Sequence, residues 1–444
     1  MTTSPVPSPV DPVALRADLE RLVAIPSVAF PGFDEAPVRD AAAATEELLR
    51  AAGLTDVAQI AVPNAAPAVF GQIVAGPDAP TVLLYAHYDV QPAGPDDAWT
   101  TPAFAPTERD GRLYGRGTAD DKCGIALHAA ALRAWNGAPP VNVKVLIEGE
   151  EETGNGTLTT LVEADPERFA ADAFVIADGS NVTTGTPTLT TSLRGLAVVD
   201  VTVRTLRDPA HSGVVGGPAP DALLALSRII ASLHDDAGDV AVDGLLREPW
   251  DGSPIDAEGF RRDAGVLDGV QLLGSRPVAE RIFVGPSITA IGIDAPAVDV
   301  AANAIIPSAR ARLSARLAPS QDPATAARAI VEHVRRVAPW GVELDLVEGA
   351  HAPGALLAGD GPVTAAAATA LESGYAAPAV RIGSGGAIPL CADLSRIYPD
   401  AEFVLWGPGD ERSRIHAGDE SVDLADLHRA AVAEAEFLGV LAQR

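Results

Sequence analysis

Apolar runs of strand length alternate with amphipathic, helix-like segments through the first part of the chain. The strand-like runs lie at 69–74, 81–86, 141–147 and 173–176, and the helix-like segments lie at 12–24, 37–52 and 123–135. Parallel strands need crossover connections of about a dozen residues or more, and these are usually helical. The alternation therefore predicts a doubly wound, mostly parallel α/β sheet.

The pattern changes near residue 195 and changes back near residue 353. Between these points, apolar and polar residues alternate at 196–205 and 309–317, and helix-like segments lie at 221–233 and 324–337. Half-buried antiparallel strands with helices on one face are typical of an α+β domain. We therefore predict an α/β domain formed by 1–194 and 353–444, with a smaller α+β domain, 195–352, inserted into it.

The chain is strongly acidic, with 60 acidic and 32 basic residues and a formal net charge of −28 at pH 7. This charge repels a phosphate backbone and an anionic lipid surface, so we expect no nucleic-acid or membrane partner. The two cysteines, Cys123 and Cys391, form no CxxC pair, and the start of the chain, MTTSPVPSPVDP, has no basic or apolar segment typical of a secretion signal. We expect a cytoplasmic protein.

A histidine and an aspartate follow the strand-like run at 81–86, in the order LLYAHYDV. Open α/β sheets bind their ligands at the carboxyl ends of the strands, which is where His87 falls. A metal-bound histidine needs its other ring nitrogen held by a hydrogen bond, and Asp89, two residues later on the same side, can accept one. The alternative is a His–Asp pair that only stabilises a loop.

Carboxylates also collect at other turns and strand ends. Asp120 lies in the glycine-rich turn GRGTADDK, where it is either a metal ligand or only the N-cap of the helix that follows. The run at 141–147 leads into EGEEETGNG, and a similar strand end, AFVIADGSN, supplies Asp178. Crowded carboxylates repel one another unless cations neutralise them. The glutamates of the acidic run are Glu148, Glu150, Glu151 and Glu152.

Two histidines lie in glycine-rich or acidic loops, His211 in DPAHSGVVGG and His416 in SRIHAGDES. The other histidines fall mostly within helix-like patterns, and we interpret them as structural. They are His128, His234, His333, His351 and His428.

Five of these residues are candidate ligands of two divalent metal ions, with Asp120 as the bridging ligand. Three carboxylates and one hydroxide balance the charge of two 2+ ions. Imidazole and carboxylate donors without a thiolate suit zinc, with manganese or cobalt as substitutes. The predicted ligands are His87, Asp120, Glu152, Asp178 and His416.

The order of these motifs carries a family resemblance. HxD, GRGxxDDK, EEETG, an aspartate after a strand, HSG and a late histidine together resemble the co-catalytic zinc peptidases related to carnosine dipeptidase, acetylornithine deacetylase and carboxypeptidase G. The resemblance covers nearly the whole chain. It implies a catalytic domain interrupted by a lid domain that makes a homodimer contact.

The resemblance also implies two ligand sets. His87, Asp120 and Asp178 match the residues that hold one metal ion. Asp120, Glu152 and His416 match those that hold the other. An aspartate rather than a glutamate at position 178 favours the dipeptidases of the family over its deacylases.

Three more residues match catalytic positions. Glu151, next to the ligand Glu152, matches the general base. Asp89 matches the residue that orients His87. His211 resembles a histidine of the lid that reaches the active site of a neighbouring subunit and stabilises the tetrahedral oxyanion.

Substrate contacts are implied at the segment ANAIIPSARARLSARL and at the glycine turn SGGAIP. Family members often have an acidic residue and a serine beside the glycines of that turn, where this chain has Ser384 and Ala387. Cys123 replaces a glycine that is common after DDK. The implied substrate-binding residues are Asn303, Arg316, Ser384, Gly385 and Gly386.

We therefore predict a hydrolase that cleaves the amide bond of dipeptides or small peptide-like substrates with a water that bridges two divalent metals. An N-acyl amino-acid deacylase of the same family is one alternative, and a catalytically inactive metal-binding relative is another. The presence of Glu151 argues against the inactive relative. A serine hydrolase is the weakest alternative, because no GxSxG motif occurs at a strand-to-helix turn.

Overall fold

The computed structural model describes residues 6–62, 65–154, 156–357, 359, 361–386 and 388–443. The chain divides into two compact units. The first contains the chain up to Thr191 together with Leu357–Ile382 and the part from Leu390 onward, and the second contains Ser192–Leu356 and Gly383–Pro389. The bounds 1–194, 195–352 and 353–444 stay a prediction, because compactness alone does not show where an independently folding domain begins.

Helices and strands alternate along most of the chain. The helices are Pro12–Val23, Ala36–Ala51, Lys122–Ala134, Thr157–Ala164, Pro166–Phe169, Ser212–Val215, Ala222–Ala231, Ala257–Asp263, Val278–Phe283, Pro323–Val337, Pro362–Tyr375, Pro389–Ile397 and Leu424–Leu441. The strands are Thr55–Ile60, Ala68–Ile73, Thr81–His87, Thr107–Arg109, Arg112–Tyr114, Asn142–Glu148, Ala173–Ile176, Thr188–Leu193, Gly195–Arg204, Ala210–His211, Ser287–Asp294, Ala304–Ile305, Ser308–Leu317, Glu343–Ala352, Ala355–Leu356, Val380–Ser384, Glu402–Leu405 and Ser421–Asp423.

The first unit is built on a central, mixed sheet. Its middle strands are parallel to one another, and antiparallel strands flank them. The prediction of a mostly parallel α/β sheet is therefore confirmed. The strand order is Thr55–Ile60, Ala68–Ile73, Asn142–Glu148, Thr81–His87, Ala173–Ile176, Glu402–Leu405 and then the start of Thr188–Leu193.

The central strands are buried because helices cover them. No residue of Thr81–His87 or Ala173–Ile176 is exposed, and the helix Lys122–Ala134 packs on Thr81–His87 and against Leu424–Leu441. Thr81–His87 pairs in parallel with Asn142–Glu148, in a register that sets His87 beside Glu148. The loops that follow these two strands therefore both begin at the carboxyl-terminal edge of the sheet.

The second unit contains an antiparallel four-stranded sheet, in the order Ser287–Asp294, Ser308–Leu317, Gly195–Arg204, Glu343–Ala352. Buried residues alternate with less buried ones along Ser308–Leu317. The helices Ala222–Ala231 and Pro323–Val337 pack on this sheet and form an apolar core with it. The α+β character predicted for this part of the chain is confirmed.

Aspartates cap two of the helices. Asp11 caps Pro12–Val23, accepting hydrogen bonds from the backbone N–H groups of Val13 and Ala14. The cap of Lys122–Ala134 is Asp121, whose Oδ1 accepts from the N–H of Gly124 at 3.2 Å. The N-cap alternative for Asp120 is therefore wrong, and the Asp120 carboxylate is left for another role.

Several predicted segments differ from the observed ones at their ends by one or two residues. Several observed elements were not predicted, among them the strand Thr188–Leu193 and the helix Pro389–Ile397. Among the described residues, no helix is both long and apolar enough to cross a lipid bilayer.

Candidate metal centre

His87 is the last residue of the buried strand Thr81–His87, and its side chain is fully buried. Its Nε2 atom lies 3.0 Å from Oδ1 of Asp120. Its Nδ1 atom lies 3.1 Å from the backbone carbonyl oxygen of Asp89 and 3.4 Å from the carboxylate of that residue. Asp89 thus contacts the second ring nitrogen of His87, and its backbone oxygen makes the shorter of the two contacts.

Asp120 faces two imidazoles, one with each carboxylate oxygen. While Oδ1 meets His87, Oδ2 lies 2.9 Å from Nε2 of His416. The same His416 nitrogen lies 3.2 Å from Oε2 of Glu152. The turn that carries Asp120 and the loop that carries His416 therefore meet at the Asp120 carboxylate.

The described residues form two groups able to hold a metal ion, and Asp120 belongs to both. One group is His87, Asp120 and Asp178, and the other is Asp120, Glu152 and His416. Within each group one ligand atom per residue lies within 4.8 Å of the others. The structure thus brings the five predicted ligands together, in the two sets that the family resemblance implies.

The carboxylate of Asp89 ties the acidic run to the strand that carries His87. Its Oδ1 accepts a hydrogen bond from the backbone N–H of Glu151 at 3.2 Å, and its Oδ2 accepts one from that of Glu152 at 3.1 Å. Asp89 is fully buried. One carboxylate therefore holds the predicted base, the neighbouring ligand and, through its contact with Nδ1, His87.

Burial is the main electrostatic influence on the acidic groups here. It raises the pKa of Glu151 to about 7, with Asp120, Asp89 and Glu152 adding to the shift and His87 opposing it. Burial likewise raises the pKa of Asp121 to about 7 and that of Asp178 well above its ordinary value, with the neighbouring Asp120 acting in the same direction. A carboxyl pKa rises where the charged form lacks solvation and opposite charge.

This arrangement fits a pair of divalent cations. Carboxylates that are buried side by side need positive charge to stay ionised together. The donors are oxygen and imidazole nitrogen, which suit zinc and related divalent ions. Asp120 presents one oxygen toward each group, which suits a carboxylate shared by two ions.

The remaining predicted residues belong to the second unit. His211 lies opposite Ala304 in a short antiparallel ladder, and the carbonyl oxygen of Asn303 accepts from both the N–H and the hydroxyl of Ser212. These two predicted residues are therefore neighbours within that unit.

Three of the other substrate-binding candidates, Arg316, Ser384 and Gly385, lie beside Arg194, which sequence reasoning missed. Arg194 is only 9% exposed, and its backbone N–H donates to the carbonyl oxygen of Ser384. Burial, together with the charge of Arg316, lowers the pKa of the Arg194 guanidinium to about 10. A side chain at Gly385 would meet this guanidinium at 3.2 Å. Ala387 lies outside the described residues.

Sequence reasoning also missed two residues that hold the ligands. Gln91 donates to the Glu152 carboxylate twice, from its backbone N–H at 3.1 Å and from Nε2 at 2.8 Å. Glu420 accepts hydrogen bonds from the turn that carries Asp120. The position of Gln91 two residues after Asp89 was a usable signal, whereas Glu420 lies about three hundred residues from its partners and gave none.

The five histidines interpreted as structural lie outside both ligand groups. His128 is fully buried between the carboxylate of Glu434, at 2.8 Å, and the carbonyl of Tyr85. His333 contacts the hydroxyl of Ser232, and His428 contacts the carbonyl of Val10. Among the described residues, none of these five joins a candidate metal group.

The five candidate ligands, Asp89 and Glu151 form an acid–imidazole cluster at the edge of the sheet. The sheet and this cluster define a metal-dependent hydrolase of the peptidase class. The chain belongs to peptidase family M20/M25/M40, whose model matches residues 83–439. This confirms the resemblance drawn from the motif order.

Known proteins of this family resemble the chain over most of its length. It is 44% identical over 369 residues to a cysteinylglycine-S-conjugate dipeptidase of Corynebacterium striatum, covering 81% of each chain. It is 30% identical over 288 residues to a Cys-Gly metallodipeptidase of Schizosaccharomyces pombe, covering 61% of this chain and 60% of the relative. A solved metallo-carboxypeptidase of Sulfolobus solfataricus shares the fold with a TM-score of 0.81 and 22% identity, covering 97% of this chain and 99% of that one. The two dipeptidase relatives support the dipeptidase branch of the family, and the solved structure supports the fold.

Proposed function

We propose that the chain hydrolyses the amide bond of dipeptides, with two divalent metal ions held by His87, Asp120, Glu152, Asp178 and His416. The observation that carries the proposal is the Asp120 carboxylate, which directs one oxygen toward each of two imidazoles. Zinc is the first choice of metal for these donors, and manganese or cobalt are substitutes. When bound, such ions lower the pKa of water and polarise the substrate carbonyl.

The other residues of the cluster handle protons and geometry. Glu151 takes the proton of the attacking water and returns it to the amine nitrogen that leaves. A general base works best when its pKa is close to the working pH. Burial raises the pKa of Glu151 toward that range, whereas bound cations would lower it. Asp89 fixes the backbone of Glu151 and Glu152 and thereby the direction of both carboxylates.

His211 supplies the oxyanion donor in this proposal, from the second unit of a partner subunit in a homodimer. Its Nδ1 accepts a hydrogen bond from the backbone N–H of Gly213 at 3.0 Å, so the neutral ring carries its proton on Nε2. The residue is exposed, which leaves Nε2 available to a substrate oxygen. Removing one oxyanion donor typically costs a factor of about 10²–10³ in kcat.

The substrate class follows from the relatives and from charge. The names of the relatives specify dipeptides, cysteinylglycine conjugates and Cys-Gly among them. A dipeptide presents a free carboxylate, and we assign its binding to Arg316, Asn303 and the turn Ser384–Gly386. Arg194 adds a second positive charge beside that turn.

The test is a substrate panel assayed with and without a chelator. Cysteinylglycine, S-substituted cysteinylglycine and β-alanylhistidine are compared with N-acetyl amino acids, and bound metal is counted on the same preparation. We expect dipeptide hydrolysis that the chelator abolishes and that zinc, manganese or cobalt restores. Faster cleavage of the N-acetyl amino acids would identify a deacylase, and fewer than two ions in fully active protein would refute the two-metal centre.

A further inference from the structure

The loop that carries His416 is held in an unfavourable backbone conformation. Arg414, His416 and Asp419 have φ angles of 53°, 63° and 57°. Such left-handed conformations are uncommon for residues other than glycine and persist only when surrounding contacts enforce them. Contacts that enforce the conformation of this loop therefore also set the position of His416.

Glu420, four residues after His416, makes the most buried of these contacts. Its side chain is fully buried, and Oε1 accepts hydrogen bonds from the backbone N–H groups of Gly117 and Ala119 at 3.0 Å and of Asp120 at 3.3 Å. Oε2 accepts from the Arg116 guanidinium at 2.6 Å. Its backbone carbonyl accepts from the N–H of Gly115 at 2.9 Å.

These bonds join two segments of chain that each carry a candidate ligand. The turn Gly115–Asp120 ends at the shared carboxylate, and the loop before Glu420 carries the imidazole that faces it. Both oxygens of Glu420 are occupied by N–H donors, which leaves it no part as a ligand or base. The pairing with Arg116, itself 1% exposed, offsets part of the cost of burying the charge of Glu420.

We propose that Glu420 is a positioning residue of the metal centre, which holds the Asp120 turn and the His416 loop at the separation that the second ligand group requires. The inference rests on the proposed function, because it assigns Glu420 a role toward metal ions that Asp120, Glu152 and His416 hold. Loss of a residue that orients metal ligands typically weakens metal affinity or activity about 10–100-fold.

The test replaces Glu420 with glutamine. An amide presents one acceptor and one donor group, whereas both sides of Glu420 face only donors. We expect Glu420→Gln to weaken one of two metal-binding steps about 10–100-fold when metal-free protein is titrated with Co²⁺ and followed by calorimetry and visible absorption. The visible spectrum of the weaker site should change, because the geometry of its ligands changes. We also expect kcat to fall by a larger factor than KM changes.

Glu434→Gln is the matched control. Glu434 is also a fully buried glutamate, and its partner is the imidazole of His128. It contacts neither the Asp120 turn nor the His416 loop. The control should lower thermal stability while both Co²⁺ affinities and the spectrum stay unchanged. Equal affinities in Glu420→Gln and wild type would overturn the inference, as would an equal loss of affinity in both variants.

A second variant covers the case in which Glu420→Gln does not fold. Arg116→Lys keeps a positive charge beside Glu420 but lacks the guanidinium fork. We expect a smaller weakening of the same binding step, and unchanged Co²⁺ binding in a folded Arg116→Lys protein would then count against the inference. Failure of the two-metal proposal looks different, because the wild-type protein would itself bind fewer than two ions.

Discussion

The Asp89 carboxylate accepts a hydrogen bond from the backbone N–H of Glu151 over 3.2 Å, while the same residue contacts the ring of His87. The strand that carries a candidate ligand is thereby connected to the loop that carries the candidate base. The Asp89 end of the link is fully buried, which limits the competition of water for this hydrogen bond. The position of Glu151 consequently depends on a residue that holds neither metal nor substrate.

Replacing Asp89 with asparagine should reduce turnover more than it reduces metal content. The amide nitrogen would face the N–H group of Glu151 or Glu152, so one of the two hydrogen bonds is lost. We expect kcat to fall about 10–100-fold. Steady-state kinetics and metal analysis on the same sample measure both effects, and unchanged kcat in a folded protein would contradict the positioning role.

Glu151→Gln should abolish most activity and leave the metal ions in place. General acid–base catalysis contributes a factor of about 10²–10⁴, and the glutamine cannot take up a proton. Glu150→Gln is the matched control in the same acidic run, since Glu150 Oε1 accepts from the backbone N–H of Ala66 instead. Near-normal turnover of Glu151→Gln, measured with a dipeptide substrate, would eliminate Glu151 as the base.

His211→Ala should be complemented by Glu151→Gln if His211 acts across a dimer. Each variant alone is expected to be nearly inactive, but a mixed dimer contains one site with an intact base and an intact partner histidine. A refolded equimolar mixture should recover about a quarter of wild-type activity in a two-fold symmetric dimer. No recovery from mixed dimers verified by differential tagging would show that His211 does not act in trans, and a fully active monomer in sedimentation would exclude the dimer requirement.

The buried pair of Arg112 and Asp410 should make stability depend on pH in the acid range. Burial alone raises the pKa of Asp410, but hydrogen bonds from Arg112, at 2.6 and 2.9 Å, and from Thr184 outweigh it and leave the pKa below its ordinary value. The ionised form is thus favoured in the folded state. Its stabilising effect is complete above the unfolded pKa of about 4 and is lost as the pH falls through the folded value.

Asp410→Asn tests this dependence. At pH 7 the substitution should lower the free energy of unfolding by about 3 kcal/mol, because it leaves Arg112 buried without its counter-charge. Urea unfolding of both proteins between pH 7 and pH 3 measures the difference, which should shrink below pH 4. A difference that stays constant with pH would contradict the lowered pKa of Asp410.

Local pattern predicted the main elements of the fold and the candidate ligands. Buried strands are continuous apolar runs, and carboxylates and imidazoles at their ends are conspicuous, as at His87 and Asp178. Periodicity located Ser308–Leu317 and Pro323–Val337 within one or two residues for the same reason. It missed Thr188–Leu193, a run of threonines, serine and leucines that is buried by its neighbours rather than by an apolar sequence.

The sequence by itself determined the class of sheet, the change from α/β to α+β patterning in the middle of the chain and the residue types of the acid–imidazole cluster. These features depend on residues that are neighbours in sequence. Tertiary structure alone decided which residues hold that cluster. Glu420 reaches the Asp120 turn across about three hundred residues, and Arg194 is recognisable only once its surroundings are folded. It also decided that Asp121 caps the helix while Asp120 faces the imidazoles, since adjacent carboxylates are distinguished only by the direction in which the folded backbone points them.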